Sequence, residues 1–333
     1  MSDVTAKVLV TRRLPEAVEA RMRALFDVTL SQSDLPLDAR ALAEAADGHS
    51  VIVSTITDPL DAGLIAALPD SVKLIAQFGN GVDNIDIEAA HKRGIVVTNT
   101  PSVLTEDTAD MALALILSVP RRLVEGASVL PVSGNWQGWS PTAMLGRRLT
   151  GKALGIVGMG RIGAAVARRA QAFGLSVHYY SRSRRPPQVE DPLGATYWPS
   201  LDEMIAKVDI LSLHTPLTRE TFNLMNEDRL KHMKRDAFLV NVSRPELIDE
   251  DALVALIESG HLSGAGLDVF EHRNGINPKL VELALQNRIV ITPHMASATL
   301  EGRIEMGETV IVNIRVFLDG EKPPHRVLPE SSR

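Results

Sequence analysis

Along the chain, short runs of β-branched and aliphatic residues alternate with longer stretches in which Ala and Leu recur at helical spacing. "KVLVTRRL" is followed by "PEAVEARMRALF", then come "DVTLS", "LDARALAEAA", "SVIVST", "DAGLIAALP", "VKLIAQFG", "IDIEAAHKRG" and "IVVTNT". Strands regularly separated by helices predict parallel pairing, with helices on both faces of each sheet. A long helical segment, about Thr105 to Arg122, leads into the irregular "SGNWQGWSPTAMLGRRLTGK", and the alternation then restarts with "ALGIVGMG", "SVHYYS", "DILSLH", "AFLVNVS", "GAGLDVF" and "RIVITPH". The pattern predicts an α/β chain of two doubly wound, Rossmann-like parallel sheets. The last helix, "ATLEGRIEMGETVIVNIRVFLDG", follows the final strand, and its economical home is back on the first domain.

Composition narrows this reading. A length of 333 residues suits two domains. With 45% hydrophobic but only 4% aromatic residues, the cores must be aliphatic. A net charge of −6 argues against general nucleic-acid binding, and the absence of cysteine excludes thiol chemistry and disulfides. The start of the chain reads as a strand rather than a leader, and the most apolar run, "ADMALALILSVP", is too short to cross a bilayer. A soluble, cytoplasmic protein without a metal centre is expected.

The strongest motif is G-x-G-x-x-G at Gly158, Gly160 and Gly163, between a strand and a helix, with Arg161 and Ile162 inside it. Its glycines permit the tight turn, the approach of a pyrophosphate, and close helix packing. The helix start then offers free N–H groups to phosphate. An acidic residue normally ends the next strand and binds a ribose hydroxyl. Here Ser181 stands there, followed by Arg182, Arg184 and Arg185. Guanidinium groups match phosphate oxygens, so the expected cofactor is NADPH.

The elements "GNGVDNID", "TADMALALIL", "GWSPTAMLG", "GIVGMGRIG", "LHTPLTRET", "NVSRPELIDEDAL", "GAGLDVF" and "ITPHMASAT", in this order, resemble the D-isomer-specific 2-hydroxyacid dehydrogenases, most closely their glyoxylate/hydroxypyruvate reductase branch. The resemblance implies a flavodoxin-like substrate domain (residues 1–100 and 295–333), a dinucleotide-binding and dimerisation domain (101–294), a cleft between them, and a homodimer. It implies NADPH-dependent reduction of a small 2-keto acid, glyoxylate or hydroxypyruvate, to the D-2-hydroxy acid. Two alternatives stand beside it: a reductase of larger 2-keto sugar acids, and a non-catalytic NADP-binding regulatory protein.

By the same resemblance, backbone N–H groups of Asn80 and Gly81 and the Arg244 guanidinium bind the substrate carboxylate. His294 donates a proton to the keto oxygen, a role suited to an imidazolium. His214, Thr215 and Pro216 line the adenosine side, Asp268 holds the nicotinamide amide, and Trp139 reaches the partner subunit's substrate pocket. The sequence departs from the family at three places. Pro245 and Ala296 replace glycines, and Arg273 stands where a Glu usually supports the histidine. Glu271, two residues earlier, is the expected substitute for that carboxylate.

Overall fold

The computed structural model describes residues 6–134, 136, 138–271 and 275–329, apart from the side chains of Leu130 and Ser133. The chain divides into two compact units, Met1–Leu104 with Ala298–Arg333, and Thr105–Ser297.

The first unit is built on strands β1 (Lys7–Val10), β2 (Asp27–Leu30), β3 (Val51–Thr55), β4 (Leu74–Phe78) and β5 (Val96–Thr98). Every pairing is parallel and the order is β2-β1-β3-β4-β5. Alternate residues face opposite sides of a strand. Val8, Val10, Val51, Val53, Leu74 and Ala76 therefore share one core, and Leu9, Ile52 and Ile75 another. Helices Glu16–Leu25 and Leu300–Leu318 cover the first face; the second packs against Ala39–Ala45, Ala62–Ala67 and Ile87–Lys92. The last helix thus buries Met306, Val310, Ile311 and Ile314 on the first unit's sheet, as its position after the final strand suggested. Asp38, Asp61 and Asp86 each cap the helix they precede, accepting from a backbone N–H three residues on.

The second unit carries β6 (Ala153–Val157), β7 (Ser176–Tyr180), β8 (Thr196–Tyr197), β9 (Ile210–Leu213), β10 (Phe238–Asn241), β11 (Gly264–Leu267) and β12 (Ile289–Ile291). Among the described residues they form one parallel sheet, ordered β12-β11-β10-β9-β6-β7-β8. The order reverses between β6 and β9, and ligands of such sheets bind outside the carboxyl ends of the strands at that reversal. Both faces are covered, one by helices Thr105–Ser118 and Arg161–Ala172, the other by helices that include Glu250–Glu258 and Pro278–Leu285.

The helix expected to run to Arg122 stops at Ser118. Pro120 has no N–H to continue the ladder, and Arg122 turns the chain at φ +53°. A further helix, Leu123–Ser133, follows, with an apolar surface that periodicity had not assigned to any element. No helix among the described residues is long and apolar enough to cross a membrane.

In the last helix Gly307 lies so close to helix Glu16–Leu25 that an added Cβ would collide with both γ-carbons of Val18. Overpacking of this kind costs about 1–3 kcal/mol. Gly307→Ala should lower the denaturation midpoint, and adding Val18→Ala should recover part of the loss through the space it opens. Additive losses in a double-mutant cycle would show that the two positions do not meet.

Candidate active site

At the carboxyl edge of the second sheet, Gly158 leaves β6 with φ +97°. A Cβ there would lie 2.6 Å from the carbonyl oxygen of His214, so only glycine lets the loop after β6 pass the end of β9. Gly163 is equally constrained, since a side chain would strike the Gly158 carbonyl oxygen and Ile156. Gly160, the residue before helix Arg161–Ala172, differs: a Cβ built on it meets nothing within 4 Å. Two glycines therefore close the turn, and the third leaves open space above the first N–H groups of a twelve-residue helix. These residues fit a dinucleotide pyrophosphate. Arg161 is exposed at the start of the helix, and Ile162 packs against the core behind it.

Ser181 follows β7 and is joined to this loop, its Oγ accepting the Met159 N–H at 2.9 Å. The three arginines after it differ in their surroundings. Arg184 grips Glu190 through Nε (3.0 and 3.1 Å) and Nη2 (2.9 Å). The Arg185 N–H donates to the Tyr179 hydroxyl at 2.8 Å. Arg182 is exposed, and its charge helps hold the Glu220 carboxyl below its usual range, behind the larger effect of the Thr218 hydroxyl at 2.8 Å. Glu190 and Tyr179 carried no motif; only the structure shows that they belong to this corner.

His214 follows β9. Its Nε2 pairs with Ser212 Oγ at 2.8 Å, while Nδ1 is buried without a hydrogen-bond partner in the protein. Burial lowers its pKa to about 4. The ring is neutral near pH 7, with one nitrogen unsatisfied beside the phosphate loop. Thr215 and Pro216 continue into a turn closed by Thr221, whose hydroxyl donates to the Pro216 carbonyl at 2.7 Å.

Arg244 and His294 follow β10 and β12, the two strands that flank β11, at the same edge of the sheet. Asn241, the fully buried last residue of β10, donates from Nδ2 to the Arg244 carbonyl at 2.8 Å and accepts the Ser243 N–H at 3.0 Å. Arg244 is extended (φ −141°, ψ 140°), as expected for a residue before proline. Asp268, after β11, is fully buried. Its Oδ1 accepts from Thr292 Oγ1 (2.6 Å) and the Met295 N–H (2.9 Å), and its Oδ2 from the Ala296 N–H (2.8 Å). Its carbonyl accepts the His294 N–H at 3.0 Å, and its own N–H donates to the Asn241 carbonyl at 2.9 Å. Asp268 and Asn241 therefore join the Arg244 and His294 loops into one framework. His294 is exposed and left-handed, at φ +52°.

The exposed Glu271 donates its N–H to Glu250 Oε2 at 3.0 Å, and burial raises the Glu250 carboxyl. Arg273, on which the tuning of His294 was expected to turn, lies outside the described residues. Trp139 is 83% exposed.

In the first unit the turn after β4 is held by a buried amide that spacing did not reveal. Gln77 accepts from Ser54 Oγ (2.7 Å) and donates to Asn84 Oδ1 (2.8 Å) and the Gly81 carbonyl (3.2 Å). Asn99 donates to the Asn80 carbonyl at 2.7 Å. Fixing that carbonyl also fixes the Gly81 N–H, which shares its peptide plane. This is the framework an anion-binding turn requires.

With this geometry in place, three comparisons bear on the chain. Residues 113–296 match the family model described as D-isomer specific 2-hydroxyacid dehydrogenase, NAD binding domain. A glyoxylate reductase from Korarchaeum cryptofilum is 44% identical over 325 residues, covering 97% of this chain and 96% of that one. Among solved structures, the TT0316 protein from Thermus thermophilus is 43% identical with a TM-score of 0.88, covering 97% of this chain and 100% of that one. An NADPH-dependent glyoxylate/hydroxypyruvate reductase from Sinorhizobium meliloti, in complex with NADP and malonate, is 34% identical with a TM-score of 0.84, covering 97% of each chain.

The buried imidazole makes stability depend on pH. The folded pKa of His214, about 4, lies below its unfolded value of 6.5. Its contribution is therefore complete above pH 6.5 and is lost as pH falls toward 4, at up to about 1.4 kcal/mol per pH unit. The melting temperature of the native protein should fall through this window more steeply than that of His214→Phe. Parallel curves would remove His214 as the cause.

Proposed function

The chain belongs to the D-isomer specific 2-hydroxyacid dehydrogenase family, it takes a nicotinamide dinucleotide, and from that premise we propose that it is an NADPH-dependent reductase of a small 2-keto acid, with glyoxylate and hydroxypyruvate the leading substrates. The observation that carries the reading is the Asn241–Asp268 framework. It presents an arginine and a histidine from the two strands that flank β11, on the sheet edge that also carries the phosphate loop.

Arg244 takes the substrate carboxylate in forked geometry and polarises the neighbouring keto oxygen. The N–H groups of the Asn80–Gly81 turn are a second carboxylate anchor. The reduced nicotinamide, when bound, supplies a hydride to the keto carbon. His294 gives a proton to the oxygen as its charge develops, yielding the D-2-hydroxy acid. The Asp268 carboxylate already accepts three hydrogen bonds from the chain, so its part is first to hold the His294 loop and then, with its remaining acceptor capacity, to meet the nicotinamide amide. His214, Thr215 and Pro216 flank the adenosine. Glu271 is proposed to substitute for the carboxylate usual near His294.

For the cofactor, Ser181 supports NADPH because it adds no negative charge where a 2′-phosphate would sit, and Arg182 and Arg185 supply positive charge beside it. With a panel of 2-keto acids followed by absorbance, kcat/KM should be highest for the smallest substrates. NADPH should be preferred over NADH at least tenfold, equivalent to about 1.4 kcal/mol. Arg182→Ala should lower kcat/KM with NADPH at least fivefold more than with NADH. His294→Asn should lower kcat by about 10²–10⁴. Equal use of the two cofactors by the native protein would remove the NADPH assignment.

The apolar surface that begins at helix Leu123–Ser133 supports a homodimer. Leu123, Val132, Trp136, Trp139 and Leu145 are each more than half exposed, a concentration that single chains seldom leave in water. Light scattering at micromolar concentration should give twice the chain mass. Trp139→Ala should change selectivity among 2-keto acids, since the proposed place of this ring is the partner subunit's substrate pocket. A monomer would refute the first statement, and an unchanged selectivity profile the second.

A further inference from the structure

The loop Ser181–Pro186 is anchored at both ends and in the middle. Its start is tied to the phosphate loop by Ser181 Oγ, and its end by the Arg185 N–H on the Tyr179 hydroxyl. The middle anchor is Arg184, whose guanidinium is held edge-on by both oxygens of Glu190 and lies 6.0 Å from the centre of the Tyr197 ring. Tyr179 and Glu190 also bond to each other, the phenol donating to the carboxylate. Tyr179 is fully buried and Glu190 is 5% exposed, on the four-residue helix Pro187–Glu190. Burial and then the bond to Glu190 push the Tyr179 phenol up to about 12, while Arg184 first and Tyr179 second hold Glu190 below the usual range. The phenol therefore keeps its proton and the carboxylate keeps its charge over the working pH range.

This arrangement is costly unless it serves the loop. A carboxylate is taken out of water beside a nucleotide-binding corner, where its charge opposes a phosphate. In return it immobilises Arg184 and, through Tyr179, the backbone at Arg185. Arg182 and Ser183 are left as the short span between fixed points. A binding loop held in its bound shape gives up less entropy when the ligand arrives.

We propose that Glu190, acting through Tyr179 and Arg184, is a specificity-determining positioning residue that shapes the Ser181–Pro186 loop for the 2′-phosphate of NADPH. The inference rests on the NADPH reading above. It makes Arg184 part of the scaffold and leaves Ser181, Arg182 and Arg185 as the groups that face phosphate. It also makes a prediction opposite to that of simple charge. Removing a negative charge and releasing an arginine should favour a phosphate by Coulomb attraction alone, whereas loss of the scaffold should disfavour it.

The test is the dissociation constant of NADPH and of NADH, measured by nicotinamide fluorescence on the native protein, Glu190→Gln and Tyr179→Phe, with 2′,5′-ADP competition as a probe of the phosphate site alone. Each variant should weaken NADPH and 2′,5′-ADP at least fivefold while NADH changes less than twofold. A purely structural role would instead weaken both dinucleotides alike, and that outcome overturns the inference, as does tighter NADPH binding by Glu190→Gln. Should Glu190→Gln fail to fold, Tyr179→Phe decides, because it keeps the ring and removes only the hydroxyl. A native preference for NADPH that survives both variants overturns this inference alone. A native ratio near one overturns the cofactor reading and this inference with it.

Discussion

Asp268 carries a charge into a fully buried position, and the second unit is organised around keeping that charge satisfied. Desolvating a carboxylate costs several kcal/mol, and three short hydrogen bonds from Thr292, Met295 and Ala296 offset it. Two of those donors are backbone N–H groups, so the bonds constrain the path of the chain. The His294 backbone is thereby held in a left-handed conformation that costs about 1–3 kcal/mol when nothing enforces it. Position and strain come from the same contact. Because the Asp268 N–H also bonds Asn241, whose side chain holds the Arg244 loop, a disturbance at any of these residues reaches both the Arg244 and the His294 loops.

The two ends of the same edge use charge differently. Around Asp268 an anion is buried so that neutral backbone can be aimed. Around Glu190 an anion is buried so that a cation can be fixed and a backbone turn closed. In each case the buried carboxylate fixes its neighbours through several hydrogen bonds at once. The phosphate loop follows another logic. Gly158 and Gly163 are dictated by atoms a few ångströms away in the same unit, whereas Gly160 is dictated by space that nothing in the chain fills.

Much of this architecture was legible in the sequence, for reasons that can be stated. An unbroken apolar run such as Val8-Leu9-Val10 marks a strand buried on both faces, and repeated strand–helix alternation leaves few options besides parallel sheets. The glycine spacing and Ser181 before three arginines were local signals. Pro120 was visible too, and with Arg122 in the left-handed region it ends the helix after Thr105 at Ser118 rather than at Arg122. What stayed hidden was pairing across loops. Arg184 reads as one of three equivalent cations until Glu190, six residues on, is found folded beneath it. Gln77 and Asn241 gave no signal, because a buried amide at a strand end has no periodicity, and its role lies in which carbonyls come within reach.

The helix Leu300–Leu318 completes the first unit from the far end of the chain. During synthesis, residues 1–104 leave the ribosome with one face of their sheet covered by helix Glu16–Leu25 alone, and the whole of Thr105–Ser297 must be made before the second covering helix exists. At ordinary elongation rates that interval is about 10 to 40 s. For that time Leu74, Ala76 and Phe78 of β4, on which the last helix packs, belong to an exposed apolar surface on a nascent polypeptide, and the second unit gains its last segment before the first does. Biosynthesis therefore runs opposite to reading order: the unit begun first is finished last, and a chaperone that shields nascent chains has its natural work at the beginning of this sequence.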